Sequence, residues 1–247
     1  SQRSLPQRPV LPRSQSCSDA DPNWRPTGSS DVYTPEYARC RQCYLDMMKE
    51  LAGSTGSDIV LGANDGKRYD PAWWFGYWGT VPKHTKVFVE PVPPIYAKLK
   101  HNMDEAAIPN VLALNNAVRG SAQSAQLTLY CWDLDMVDNA VNHGASPLPP
   151  EVLQPKEYWN FLCGLDVKGL LEAANVFSSD AFKRLPEGRR AEVSIEVEKH
   201  IVKYTVEALT PKQIVARAGP GDVRYVQIDV EGLDNDIVRG LPFGEDG

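Results

Sequence analysis

The sequence predicts an α/β fold: a mostly parallel sheet with helices on both faces. Two observations carry that expectation. Three short runs, residues 59–61, 86–89 and 110–114, are apolar and end at turn signals, with a helical segment between the second and third. A fourth run, residues 224–228, returns after a long inserted stretch. Strand–helix–strand units of this kind build parallel sheets, because parallel neighbours need a long crossover.

Each element follows from local chemistry. Ile59-Val60-Leu61 is continuously apolar, as a strand buried on both faces must be, and it stops at Gly62-Ala63-Asn64-Asp65-Gly66. Lys86-Val87-Phe88-Val89 ends in Glu90-Pro91. A helix starts near Pro93-Pro94, where proline suits the first turn, and carries Ile95, Leu99 and Asn102. Residues 126–132 alternate apolar and polar, which predicts an antiparallel strand or hairpin. Residues 143–155 hold Pro147, Pro149, Pro150 and Pro155 and read as loop. Residues 157–174 read as helix through Tyr158, Phe161, Leu162, Leu165, Leu170 and Leu171. Residues 192–204 alternate and read as strand. Thr210-Pro211 opens a helix over 211–218 closed by Gly219, and a last helix spans 233–239 before Gly240.

Upstream, Thr34 and Pro35 open a helix bearing Tyr37, Tyr44, Leu45, Met48 and Leu51. Residues 1–30 form a tail of Pro, Ser, Gln and Arg, without an acid before Asp19. Such an acid-poor start resembles the end of an organellar transit peptide, or the stem of a Golgi-type enzyme. Either places the protein in an organelle or the secretory lumen after removal of an N-terminal segment. The expected organisation is the tail, then one domain over residues 31–247. A variable insertion, residues 121–190, separates the third and fourth parallel strands.

Composition narrows the partners. The chain has 247 residues, with 32 acidic and 26 basic side chains and a formal charge of −6. A nucleic-acid binder usually carries a basic face, so no nucleic acid is expected. No apolar run approaches the ~20 residues that span a bilayer as a helix. Five cysteines are too few for a disulfide scaffold. Cys40 and Cys43 form a C-x-x-C that reads as half a zinc site or as a disulfide with Cys17. Cys131 and Cys163 stand alone, and no histidine pair has ligand spacing, so no metal is expected.

Three features line up at the carboxyl ends of the parallel strands, where open α/β sheets bind ligands. The first is the loop Gly62 to Gly66, whose small residues let a ligand approach the backbone. The second is Glu90, placed to accept both hydroxyls of a ribose. It lies 24 residues after Gly66, close to the ~20 of the dinucleotide rule. The loop lacks G-x-G-x-x-G, which disfavours a dehydrogenase and suits a ligand with a ribose but no pyrophosphate. The third is Asp229-Val230-Glu231-Gly232. Its two carboxylates stand at a strand end, one read as facing the pocket and the other as anchoring the next helix.

The ordered set Leu61-Gly62-Ala63-Asn64-Asp65-Gly66, Trp78-Gly79, Val89-Glu90-Pro91-Val92-Pro93, Leu99-Lys100-His101-Asn102, Asn116-Ala117-Val118 and Ile228-Asp229-Val230-Glu231-Gly232-Leu233-Asp234 resembles the FkbM-type methyltransferases. The resemblance spans residues 58–241, with weak matching across 121–190. It implies a Rossmann-like class I methyltransferase fold and S-adenosylmethionine as cofactor. It implies that Gly62, Ala63, Asn64, Asp65 and Gly66 wrap the methionine part, Glu90 binds the ribose, and Asn116 and Ala117 lie near the adenine. Asp229 and Glu231 would stand beside the methyl group and the acceptor, a hydroxyl of a sugar, a glycan or a small metabolite. Asp229 is the first candidate for the base, with His101, His143 and His200 as substitutes.

Departures from the family pattern support a second expectation, an inactive methyltransferase-like subunit with a docking role. Val60 stands where the family has an acid, with Asp58 two residues further back, and Gln227 stands where lysine is common. The sequence stops soon after the last motif, so it reads either as a fragment or as a C-terminally truncated sheet whose edge a protein partner covers. The aromatic run Trp73-Trp74-Phe75-Gly76-Tyr77-Trp78 reads as core packing ahead of sugar stacking.

Overall fold

The computed structural model describes residues 46, 50, 55–67, 77–121, 125–144, 146–152, 163–230 and 232–242. The elements follow as β1 (Ser57–Leu61), a helical turn α1 (Tyr77–Thr80), β2 (Thr85–Val89), α2 (Pro93–Glu105), β3 (Val111–Leu114), β4 (Ala117–Val118), β5 (Gln126–Trp132) and α3 (Leu134–His143). Then come β6 (Cys163–Gly164), α4 (Val167–Ala173), α5 (Asp180–Lys183), α6 (Glu187–Glu198), β7 (Ile201–Leu209), α7 (Pro211–Arg217), β8 (Val223–Ile228) and α8 (Asp234–Gly240).

The first sheet has the order β3-β2-β1-β8, and every pairing is parallel. The chain steps outward from β1 through β2 to β3, then returns to the other side of β1 as β8. That reversal creates a switch point beyond the carboxyl ends of β1 and β8. Alternate side chains of the strands face opposite layers. Val60 and Phe88 pack with Trp78, Leu99 and Met103 on one face. Ile59, Leu61, Val87 and Val89 pack with Ile214, Ala218 and Ile237 on the other. Helices therefore cover both faces, as the sequence predicts. Trp78 is a core residue, edge-on to Phe88 with ring centres 5.0 Å apart.

Three polar side chains are fully buried at the amino ends of the strands: Asp58, His84 and Lys86. His84 Nδ1 lies 2.9 Å from both Asp58 carboxylate oxygens. Lys86 Nζ donates to the carbonyls of Val81 (2.6 Å) and His84 (2.9 Å). Burial lowers the Lys86 pKa, and the charge of Asp58 opposes that shift. Buried charges persist only when paired in this way.

A second sheet of order β4-β7-β5-β6 joins β5 and β6 of the insertion to β4 and β7, which flank it in sequence. β5 is the expected antiparallel strand, paired with β7 from Gln126↔Glu207 to Trp132↔Ile201. The short β6 adds Tyr130↔Gly164 and Cys131↔Cys163. That register joins Cys131 and Cys163 as a disulfide, correcting the expectation that they stand alone. The two are far apart in sequence, and only strand pairing sets them opposite one another.

Two element boundaries also differ from expectation. Within 157–174, residues 157–162 lie outside the described residues, Cys163–Gly164 is strand, and the helix opens only at Val167. Asp166 caps it by accepting the Gly169 N–H at 2.7 Å. Residues 192–198 are helix rather than strand. Val193, Ile195 and Val197 imitate a period of two, but the helix buries Val193 and Val197, four apart, and leaves Ile195 61% exposed. The tail 1–30, the cysteines at 17, 40 and 43, and residues 73–76 of the aromatic run lie outside the described residues. Of the helix expected from Thr34, Asp46 and Glu50 are described, and both are helical. Among the described residues, no helix is long and apolar enough to cross a membrane.

The disulfide closes a loop with a sequence separation of 32 residues. Loop closure of that size stabilises a fold by about 3–4 kcal/mol. The double substitution Cys131→Ser/Cys163→Ser is expected to lose that amount in urea unfolding, and an unchanged midpoint would remove the bond from the stability of the insertion.

Candidate functional site

The chain leaves β1 through three positive-φ positions: Gly62 (76°), Asn64 (50°) and Gly66 (71°). The N–H groups of Gly62 and Ala63 both donate to the Val89 carbonyl at 3.0 Å, tying the ends of β1 and β2. Asp229 N–H donates to the Leu61 carbonyl at 3.0 Å, tying in β8. A Cβ built on Gly62 would lie 1.8 Å from the Asp229 carbonyl oxygen, so only glycine fits. A Cβ on Gly66 would lie 2.2 Å from Met103 Cε. The sequence suggests these glycines admit a ligand. In the structure both admit protein neighbours, and Gly62 lines the cleft as well.

Glu90 is 5% exposed at the end of β2. Its Oε2 accepts the Asn64 N–H and its Oε1 the Val92 N–H, each at 2.9 Å. One carboxylate thus holds both the loop after β1 and the entry to α2. Burial raises its pKa to about 7, against the pull of the two N–H groups. Asn102 Nδ2 donates to the Asp65 carbonyl at 2.7 Å, and Asn115 Nδ2 to the carbonyls of Glu90 and Pro91. The Asp229 carboxyl is solvent-exposed. Partial desolvation raises its pKa, and the neighbouring Asp234 adds to the shift. Asp234 in turn accepts the N–H groups of Val230 and Gly232 at 3.2 Å.

These groups share one cleft at the switch point. Its walls include Gly62, Asn64, Glu90, Ala117 and Asp229 from the sequence-predicted set. The cleft opens to solvent, and its space with that open mouth included is about 780 Å³. Ala63, Asp65, Gly66 and Asn116 are not on its walls. Ala63 is buried in the core beside Trp78. The Asp65 carboxylate accepts the Lys67 N–H at 2.9 Å. Asn116 Nδ2 reaches the Glu207 carbonyl at 3.3 Å and its carboxylate at 3.4 Å, binding β4 to β7. Glu231 lies outside the described residues. His101, His143 and His200 are not on the cleft walls. Among the described residues, no group of three or more His, Cys, Asp or Glu side chains is placed to hold a metal ion.

Sequence reasoning missed the rest of the wall. Pro91, Val92 and Ile95 follow Glu90, Val230 and Leu233 follow Asp229, and the second sheet contributes Val118, Leu127, Leu129, Cys163 and Gly164, with Leu165 just after β6. The alternation in β5 does place Leu127 and Leu129 on one face. Which sheet that face meets is not a local property. No protein-family model and no curated protein matches this chain.

The raised Glu90 pKa makes a signed prediction. A carboxyl held above its ordinary 4.5 favours the fold in its protonated form, so that stability is present below pH 4.5 and lost as pH rises through about 7. At 1.36 kcal/mol per unit, the loss is on the order of 3 kcal/mol. The pH-dependence of unfolding between pH 5 and 8 is expected to be shallower by about that much in Glu90→Gln than in the parent. Equal slopes would mean that Glu90 titrates normally.

Proposed function

We propose that this chain is a class I, Rossmann-like methyltransferase that uses S-adenosylmethionine to methylate a hydroxyl of a sugar, a glycan or a small metabolite. The parallel order, with the fourth parallel strand returning beside the first, follows the 3-2-1-4 pattern of dinucleotide-binding sheets. The observation that carries the reading is Glu90. A buried carboxylate at the end of β2 faces the switch-point cleft, and each oxygen accepts one backbone N–H. Each oxygen keeps acceptor capacity, which suits the paired hydroxyls of a ribose.

The residues present fit the cofactor. Glu90 would hold the ribose, Gly62 and Asn64 the methionine part, and Pro91, Val92 and Ala117 the flat faces of the base. When bound, S-adenosylmethionine supplies a methyl carbon on a sulfonium that departs as a neutral thioether. The chain's own part is to hold the acceptor oxygen in line and to take its proton. Asp229, one of two carboxylates on the cleft wall, is the candidate for that role. Its raised pKa helps it keep the proton it receives.

A catalytically silent docking subunit is the second reading. The half-exposed strand β8, at the margin of the first sheet among the described residues, favours it. Calorimetric titration with S-adenosylmethionine and S-adenosylhomocysteine separates the two, since only the enzyme requires micromolar binding.

Glu90→Ala is expected to weaken S-adenosylmethionine binding at least ~100-fold while the circular dichroism spectrum stays that of the parent, the loss of a two-point hydrogen bond to a buried carboxylate being that large. Parental affinity in the variant would remove Glu90 from the cofactor site. Asp229→Asn is expected to bind normally and to lose roughly 10²–10⁴-fold in turnover, the usual contribution of a positioned base. An unchanged rate would exclude Asp229 as the base.

A further inference from the structure

The polar side chains of the cleft come from one part of its wall. Asn64, Glu90 and Asp229 stand in the loops after the first sheet, among the apolar Pro91, Val92, Ile95, Val230 and Leu233. The second sheet and the residue after β6 present Val118, Leu127, Leu129, Cys163, Gly164 and Leu165. Among these residues no side chain carries an N–H, an O–H or a carboxylate, and the Cys163 sulfur is bonded to Cys131. Leu165 is also 45% exposed, one of three large apolar side chains exposed among the described residues. The other two, Ile195 and Val238, stand on helices α6 and α8 and are not on the cleft walls.

From this asymmetry we infer that the molecule bound beside Asp229 carries an apolar body, aliphatic or aromatic, that lies on the second-sheet wall and covers Leu165. The inference rests on the small-molecule reading of the cleft and deepens it. A free sugar presents a hydroxyl on most ring carbons. Set against this wall, those hydroxyls lose water and gain no partner, which is unfavourable. An alkyl or aryl surface loses nothing there, and it removes exposed leucine from water. The hydroxyl of such a molecule turns to the polar part of the wall, where Asp229 accepts its proton. The class is therefore a hydroxylated compound with an extended apolar part, and a free sugar is the poorer ligand.

The test uses the full chain and binding readouts. S-adenosylhomocysteine is titrated first by calorimetry, then 2-naphthol by fluorescence and glucose by calorimetry, with the parent and with Leu165→Asn. Leu165 is half in solvent, so the variant keeps the fold. The expected result is that 2-naphthol binds at least ~10-fold tighter than glucose, and that Leu165→Asn weakens naphthol roughly fivefold without changing S-adenosylhomocysteine, as partial loss of one leucine contact predicts. Glucose binding as tightly as naphthol overturns the inference. So does a variant that leaves naphthol unaffected. If Leu165→Asn instead weakens S-adenosylhomocysteine alone, the wall belongs to the cofactor and the inference is wrong. If S-adenosylhomocysteine fails to bind while naphthol binding still depends on Leu165, the methyltransferase reading falls and the apolar cleft stands.

Discussion

The carboxyl ends of three parallel strands meet within hydrogen-bond distance at Gly62, and the cleft depends on that meeting. Val89 accepts from the loop after β1, and Leu61 accepts from Asp229. The Asp229 carbonyl sits so close to the Gly62 Cα that no side chain fits between them. Close-packed interiors have no slack to absorb an added carbon there. The β8 loop can therefore carry Asp229 to the cleft wall only because position 62 has no Cβ. The switch point is thus first a packing constraint.

Buried ionisable groups lie at both ends of the first sheet. At the amino ends, Asp58, His84 and Lys86 are buried together, and hydrogen bonds compensate them. Asp58 is not on the cleft walls. At the carboxyl end, Glu90 is buried without a cation within the hydrogen-bond set that holds it, and two backbone N–H groups are its compensation. That arrangement leaves its pKa near neutrality.

The insertion supplies Leu127, Leu129, Cys163, Gly164 and Leu165 to the cleft wall. The second sheet presents one face to the start of α2, where Leu129 and Cys131 pack with Val92, Ile95 and Ala117. A separate core forms around Trp132, Leu170 and Val197. The disulfide holds β6 against β5 between these two layers. Cys163, Gly164 and Leu165, consecutive in the chain, can thus form a wall although β6 itself is only two residues long.

The parallel strands, the helix after Glu90, the capped helix after Thr210 and the positions of Gly62, Asn64, Glu90, Ala117 and Asp229 were legible in the sequence. Each is encoded locally, by an apolar run, a proline in a first turn or a polar residue just past a strand end. What was not legible depended on which face of an element meets another. Helix α6 read as strand because Ile195 is apolar yet points to solvent. Asn116 read as a ligand contact because it follows a strand, but its amide is spent on Glu207. The Cys131–Cys163 bond and the apolar wall join residues far apart in sequence. Periodicity constrains one element at a time, and only the packed sheets decide which faces oppose one another across the cleft.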